Sequence, residues 1–374
     1  MFRFIHSSDL HLGKRFGNFS GDLPGRLREA RHAVIARLAS HARDHSASTI
    51  LLAGDTFDSE TPAADVRRQA LAEMGHHAPL RWVILPGNHD SLQAAPLWSG
   101  LRAEAPDNVL LAMEPRPIEL APNVALLPAP ATTRRPGRDL TDWMDREPTP
   151  EGTVRIGLAH GAIRSFSEEA MAADVIAPDR ARRAGLDYLA LGDWHGAVEV
   201  DTRTRYSGTP EPDRFKHERP GEALLVGIAG PGALPDVTRL PTASFTWSSL
   251  DLHLIDGQDP DLLLEALLPE ARQRRQTLAR VMATGRGRLA ARAALARAIE
   301  NAAPDFAFLE FDETGLVTEC EVEDLDQVAP AGALREAAEA LLAEAVDESR
   351  SAADREIARG ALARLYSYAQ AVGP

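Results

Sequence analysis

Five short polar motifs in the first half of the chain carry residues that bind metals through oxygen and nitrogen: Asp9-Leu10-His11, Gly54-Asp55, Gly87-Asn88-His89-Asp90, His160-Gly161 and Gly192-Asp193-Trp194-His195. A single Asp-x-His is common by chance; five such motifs in this order are not. Carboxylates, imidazoles and a neutral amide are the donor set of a site for two divalent ions. Two ions about 3.5 to 4 Å apart can hold both the attacking oxygen and the phosphoryl oxygens of an in-line displacement. The pattern predicts hydrolysis of a phosphoester.

An ion pair of this kind needs a shared ligand. Asp55 is the expected bridge, giving one carboxylate oxygen to each ion, with Gly54 leaving room beside it. Asp9 and His11, two apart in an extended segment, are expected to reach the first ion together, and His195 to complete its shell. Asn88 offers the second ion a carbonyl oxygen without added charge, and His160 an imidazole nitrogen. This mixture suits manganese, iron or zinc better than calcium or magnesium. With Asn88 turned inward, His89 is expected to protonate the leaving alkoxide or steady the phosphate. Asp90 is expected to orient His89 by a hydrogen bond. Asp58 reads as a turn cap rather than a site residue. The other histidines, His6, His32, His41, His45, His76, His77, His217 and His253, match no motif and read as surface or packing.

The elements that must position these motifs are buried strands. Apolar runs at Phe2–Ile5, Thr49–Ala53, Trp82–Leu85, Val154–Ala159 and Tyr188–Leu191 each lead straight into one of the polar turns. Ligands of open α/β sheets bind beyond the carboxyl ends of the strands, so five turns can converge on one crevice. Gly25–Arg43 reads as one amphipathic helix between the first two strands, and Pro128–Pro150 as a long surface loop. Strands are expected at Ala223–Ile228 and Val237–Leu240. Beyond these the composition shifts: strands near Phe245–Leu254, Leu278–Ala283 and Phe306–Phe311 alternate with helices at Pro260–Leu268 and Leu289–Ile299. An acidic stretch, Glu319–Asp326, and a break at Pro330-Ala331-Gly332 precede two helices, Leu334–Val346 and Ala353–Ala371, the second opened by a capping box of Ser351 and Asp354. The expected division is a catalytic domain over 1–242, a small α/β cap domain over 243–330 and a C-terminal helical segment over 331–374 that packs on its own domain or docks on a partner.

Length and composition are those of a globular α/β protein: 374 residues, 44% hydrophobic and 26% charged. No apolar run is long enough for a membrane helix and Phe2–Ile5 reads as a strand rather than a leader, so a cytoplasmic protein with no membrane association is expected. The lone Cys320 excludes an internal disulfide and a cysteine zinc cluster. A net charge of -14 argues against coating nucleic acid through bulk charge. It does not exclude a nuclease, since carboxylates in a metal site become positive ground once divalent ions bind. Two basic clusters, Arg134-Arg135-Pro136-Gly137-Arg138 and Arg272-Gln273-Arg274-Arg275, could touch a backbone, although such runs are commonly solvated surface.

Over roughly its first 230 residues the chain resembles the calcineurin-like metallophosphoesterase superfamily, through the five motifs above. Ser8-Asp9-Leu10-His11-Leu12-Gly13, Gly54-Asp55-Thr56-Phe57-Asp58 and Tyr206-Ser207-Gly208-Thr209-Pro210-Glu211 are similar to the SbcD and YhaO branch of DNA repair exonucleases. The resemblance implies a four-layer fold of two sheets flanked by helices, with a small α/β cap domain and C-terminal helices. It also implies manganese-dependent phosphodiesterase activity on DNA ends, an SMC-like ATPase partner of the SbcC or YhaN kind, and a homodimer. Asp193 departs from the pattern: the family has a histidine there that ligates the second ion. An aspartate can still ligate, giving a harder and more anionic site.

The expected function is therefore a two-metal DNA nuclease, an exonuclease subunit with hydroxide generated at the metals as its nucleophile. The alternatives are a phosphoesterase for a small molecule such as a cyclic nucleotide, or a weakly active scaffold for the ATPase, which Asp193 favours. A protein Ser/Thr phosphatase is disfavoured, because Ser59 stands where an arginine would grip the phosphate.

Overall fold

The structure, a computed structural model, describes residues 1–163, 175–216, 220–255, 257–319, 325–326, 328–329 and 331–372. Cys320, His217 and most of the acidic stretch before Leu325 lie outside them. The chain divides into two compact units, Met1–Thr246 and Trp247–Pro374.

The strands of the first unit, in chain order, are β1 (Phe2–Ser7), β2 (Thr49–Leu52), β3 (Arg81–Ile84), β4 (Val109–Leu111), β5 (Ile118–Ala121), β6 (Val124–Ala129), β7 (Val154–His160), β8 (Tyr188–Gly192), β9 (Val198–Glu199), β10 (Thr204–Tyr206), β11 (Glu222–Ile228) and β12 (Asp236–Pro241). They form two sheets, ordered β12-β11-β1-β2-β3-β4 and β5-β6-β7-β8-β10-β9. In the first, β1 to β4 run parallel and β11 and β12 close the edge antiparallel. In the second, β6, β7, β8 and β10 are parallel.

Alternation along the strands explains why they read as unbroken apolar runs, because both faces of each sheet are buried. Phe4, Leu51, Val83 and Leu85 point between the sheets, where they meet Leu126, Ile156, Leu158 and Tyr188. Their neighbours Ile5, Ile50, Leu52, Trp82 and Ile84 point the other way, into a core shared with three helices, α2 (Val34–Asp44), α3 (Ala64–His76) and α4 (Ala95–Glu104), while α1 (Leu23–His32) lies against α2. On the far side, Leu127, Leu189 and Leu191 pack beneath Met144 and Ala181, the latter from the one-turn helix α5 (Arg180–Arg183). The result is four layers: helices, sheet, sheet, helical cover. The single helix expected over Gly25–Arg43 is two helices that meet at Ala33, where ψ of -10° opens the turn. The expected loop over Pro128–Pro150 contains the end of β6 and a 3-10 turn at Asp142–Asp145.

The second unit holds β13 (Thr246–Leu254), β14 (Thr277–Arg288) and β15 (Phe308–Glu319), ordered β13-β14-β15, with β14 and β15 parallel. Helices α6 (Pro260–Leu267), α7 (Ala271–Arg274) and α8 (Leu289–Ala302) accompany them. Strands β14 and β15 run five and eight residues past the expected apolar stretches. In β14 the distal half alternates buried Ala283 and Gly287 with the charged Arg286 and Arg288, so hydropathy ends before the strand does. The C-terminal helices α9 (Ala333–Val346) and α10 (Ala352–Val372) pack against α8 through Ala338, Leu362 and Tyr366 on Leu289 and Ala293. The capping box forms: the Ser351 hydroxyl accepts from the Asp354 N–H at 3.1 Å and donates to its carboxylate at 2.7 Å.

Candidate metal centre

Polar turns from both sheets meet at the carboxyl ends of the parallel strands. The chain after β1 does not stay extended, as expected for a two-residue ligand pair, but coils: Asp9 and His11 both adopt left-handed backbone, at φ 55° and 45°. Its amides then ladder onto the turn after β2, with Asp9, His11 and Leu12 N–H donating to the carbonyls of Gly54, Asp55 and Thr56 at 2.9–3.1 Å. Asp55 and Asp193 share the left-handed conformation, at φ 53° and 100°. Non-glycine residues enter this region at a cost, and strain of this kind collects at functional sites.

Two glycines let the loops close. A Cβ on Gly54, itself at φ 89°, would lie 2.2 Å from His160 Nδ1, and one on Gly192 would lie 2.0 Å from the Ala53 carbonyl oxygen.

The donors fall into two groups around Asp55. In the first, His11 Nε2 lies 3.4 Å from His195 Nε2 and 3.9 Å from both Asp9 Oδ1 and Asp55 Oδ2, while His195 Nε2 is 4.0 Å from Asp9 Oδ1. In the second, His160 Nε2 is 3.5 Å from Asp55 Oδ2 and 3.7 Å from Asp193 Oδ1, which in turn accepts a 3.0 Å bond from Asn88 Nδ2. One oxygen therefore faces both groups. Asp55 Oδ1 is occupied by the His89 N–H at 2.8 Å, so the bridge expected through two oxygens is offered by Oδ2 alone.

The donor set fits divalent cations. Asp9 Oδ1, Asn88 Oδ1 and His160 Nε2 are buried without a hydrogen-bond partner among the described residues, a costly condition for polar atoms unless a cation answers it. The other nitrogen of each imidazole faces an oxygen, the usual surroundings of a metal-binding histidine. His160 Nδ1 donates to the Ala53 carbonyl at 2.8 Å, which leaves the Nε2 lone pair facing Asp55. His11 Nδ1 lies 3.3 Å from Asp58 Oδ1, and His195 Nδ1 lies 3.6 Å from Asp213 Oδ1.

Electrostatics agree. Burial opposes ionisation of Asp55, but the neighbouring His160, then His11 and His89, outweigh it, so its carboxyl sits below the usual range. Burial disfavours a charged His160, yet Asp55, Asp9 and Asp193 hold it well above the ordinary imidazole value. Asp193 is pushed up by burial and by Asp9 and Asp55, against His160. That negative charge attracts cations.

Two expected roles change. Asp90 does not orient His89. Its buried carboxylate accepts from the Gly87 and Phe57 amides at 2.7 and 3.0 Å and so locks the Gly87–Asp90 turn; burial and Asp55 raise its pKa to about 7. His89 is instead held by its Nδ1, which donates to the Asp58 carbonyl at 3.0 Å, with its ring edge-on to His11 at 4.9 Å. Asp58, read as a cap, faces His11. Asp213 had no sequence motif to mark it: buried, it joins Lys14 at 2.7 Å, Arg31 and His195. Ser207 and Thr209 of the tail motif brace the Asp9 loop, through the Ser8 hydroxyl at 2.9 Å and the Asp9 carbonyl at 2.9 Å.

Fold and site together define a four-layer α/β sandwich that carries two overlapping groups of candidate metal donors on one crevice. The chain belongs to the calcineurin-like phosphoesterase family, whose family model matches residues 2–227. Members of that family use divalent metals. Over 97 residues it is 36% identical to the SbcD component of nuclease SbcCD from Escherichia coli strain K12, covering 24% of this chain and 22% of that protein. It is 31% identical over 113 residues to the corresponding SbcCD component of Rhodobacter capsulatus, covering 29% and 24%. The counterpart in Bacillus subtilis is 31% identical over 93 residues, covering 24% and 22%. These matches span about a quarter of the length of the curated relatives. Among the described residues no helix is long and apolar enough to cross a membrane.

Proposed function

We propose that the chain is a DNA phosphodiesterase, a nuclease subunit that works with two divalent ions, Mn2+ foremost and Fe2+ or Zn2+ as alternatives. The observation that carries this reading is Asp55 Oδ2 standing between two groups of nitrogen and oxygen donors. Asp9, His11 and His195 would hold one ion with Asp55; Asn88, His160 and Asp193 would hold the other. When bound, such a pair supplies Lewis acidity and an activated nucleophile. The chain supplies the rest. Asp58 and Asp213 keep the His11 and His195 rings aimed, as the Ala53 carbonyl does for His160. His89, anchored by Nδ1–H, would as the imidazolium hand its Nε2 proton to the leaving oxygen or steady the phosphate. The choice of DNA as substrate, and of an SMC-like ATPase of the SbcC or YhaN kind as partner on helices α9 and α10, is supported by the similarity to the SbcD component of nuclease SbcCD. A homodimer belongs to the same reading.

The replacement of histidine by Asp193 favours a second reading, a weakly active scaffold for the ATPase. One experiment separates them: manganese-dependent cleavage of single- and double-stranded DNA by the wild type, Asp55→Ala and His89→Asn, with metal analysis of each. The wild type should cut, Asp55→Ala should lose metal and activity together, and His89→Asn should keep metal but lose turnover. A manganese-loaded wild type that cleaves neither DNA nor an aryl phosphodiester establishes the scaffold.

A further inference from the structure

Between Asp193 and His195 stands Trp194, 45% exposed. Exposure on this scale is unusual for the largest apolar side chain, and no hydrogen bond or ring contact occupies its indole among the described residues. A tryptophan held in the turn that carries two of the site's donors presents an aromatic face beside the reacting centre.

A second feature lies on the other side of His160. Strands β6, β7 and β8 are adjacent and parallel, with Ala129 opposite Ala159 and His160 opposite Gly192. Their carboxyl ends lie in a row, so the ends of β6 and β8 are about 10 Å apart at about 4.8 Å per strand. The chain leaving β6 is tied to the Asn88 turn: the Ala131 N–H donates to the Pro86 carbonyl at 3.1 Å, and the Leu92 N–H to the Ala131 carbonyl at 2.9 Å. Arg134 follows three residues later, within about 10 Å of that tie. Arg134, Arg135 and Arg138 are exposed, and none forms an ion pair among the described residues. In a chain of net charge -14, three exposed cations without ion pairs among the described residues, in the segment that leaves the tie to the Asn88 turn, mark a place for an anionic ligand.

We infer that one unpaired nucleic acid strand crosses the centre, a base stacked on Trp194 and the backbone held by Arg134, Arg135 and Arg138. A stacking face beside a cationic track is how proteins hold single strands, and an indole can take a base only when that base is out of its duplex. This inference rests on the reading of the chain as a DNA phosphodiesterase and names the residues that would hold an unpaired strand there.

Binding decides it without the metals. Metal-free protein in chelator is titrated with a labelled single-stranded oligonucleotide and a labelled blunt duplex, followed by anisotropy and by tryptophan fluorescence. Trp194→Ala should weaken single-strand binding by about 5- to 100-fold and duplex binding less, while Trp194→Phe keeps most of the affinity. Binding should quench the wild type, and the quench should vanish in Trp194→Phe, which decides the matter even where Trp194→Ala does not fold. Replacing the three arginines by alanine should make the log–log salt dependence for the single strand shallower by about 2. Single-strand affinity unchanged by Trp194→Ala, equal losses for strand and duplex, a quench that persists in Trp194→Phe, or an unchanged salt slope overturns the inference. If the wild type cleaves DNA and one of these results appears, only this inference fails. If the wild type binds and cleaves no DNA yet hydrolyses an aryl phosphodiester, the reading as a DNA enzyme fails first.

Discussion

His6 should make the first unit lose stability in mild acid. Its imidazole is fully buried between the two sheets, with Nε2 donating to the Leu191 carbonyl at 3.1 Å and Nδ1 accepting from the Tyr188 hydroxyl at 3.0 Å. Both bonds suit the neutral ring. Burial, opposed by the bond to Leu191, lowers its pKa from 6.5 to about 3. As the pH falls below about 6.5 the unfolded chain takes up a proton at His6, and the folded chain does not until near 3. Stability therefore falls through that window, by about 2 kcal/mol between pH 7 and pH 5 from this group alone. The assay is urea unfolding of metal-free protein at pH 7, 6 and 5, read by fluorescence, since four of the five tryptophans lie before residue 247. His6→Gln cannot titrate. It should cost about 1 to 3 kcal/mol at pH 7 through imperfectly satisfied bonds. Its stability should then fall by about 2 kcal/mol less than that of the wild type on going to pH 5. Equal falls in the two proteins would show that His6 is charged in the fold and refute the reasoning.

Three further outcomes follow from the site. Gly192→Ala drives a methyl to 2.0 Å from the Ala53 carbonyl and 2.7 Å from Ser8 Cβ; thermal melts should show a loss of about 3 kcal/mol or more, since the crowding is against backbone. Asp213→Asn removes the charge beside His195 Nδ1 and should weaken manganese binding about 10- to 100-fold by calorimetry, with a folded protein by circular dichroism. Asp193→His exchanges a hard oxygen for an imidazole and should move the preference from Mn2+ toward Zn2+ in competition binding.

The parallel strands and their order of motifs were legible because each strand is buried on both faces, and an unbroken apolar run ending in a turn survives in one dimension. Short strands such as β4, β9 and β10 were not, since three or two residues carry no period. The site divided the same way. Asp9, His11, Asp55, Asn88, His160, Asp193 and His195 meet where their motifs pointed, on one crevice. What holds them did not show: Asp58 and Asp213 touch their histidines across 47 and 18 residues of chain, and nothing local marks a carboxylate as a partner for a distant ring. Nor could spacing tell that Asp55 offers one oxygen, because the His89 amide that claims the other is fixed only by the fold. The left-handed turns of Asp9 and His11 were hidden for a similar reason. They arise from the ladder to Gly54–Thr56, a contact between separate loops.

Those turns also limit how this site can drift over generations. Asp9, His11, Asp55 and Asp193 sit where the backbone is left-handed, a region that admits asparagine, aspartate and histidine several-fold more readily than other side chains. These three are also residues that can ligate a metal. A substitution at these positions that spares the backbone thus tends to exchange one candidate donor for another. The shape of the loops acts as a filter on the genetic alphabet: the centre can change its metal or its rate while still folding, and seldom loses a donor without also losing the loop that carried it.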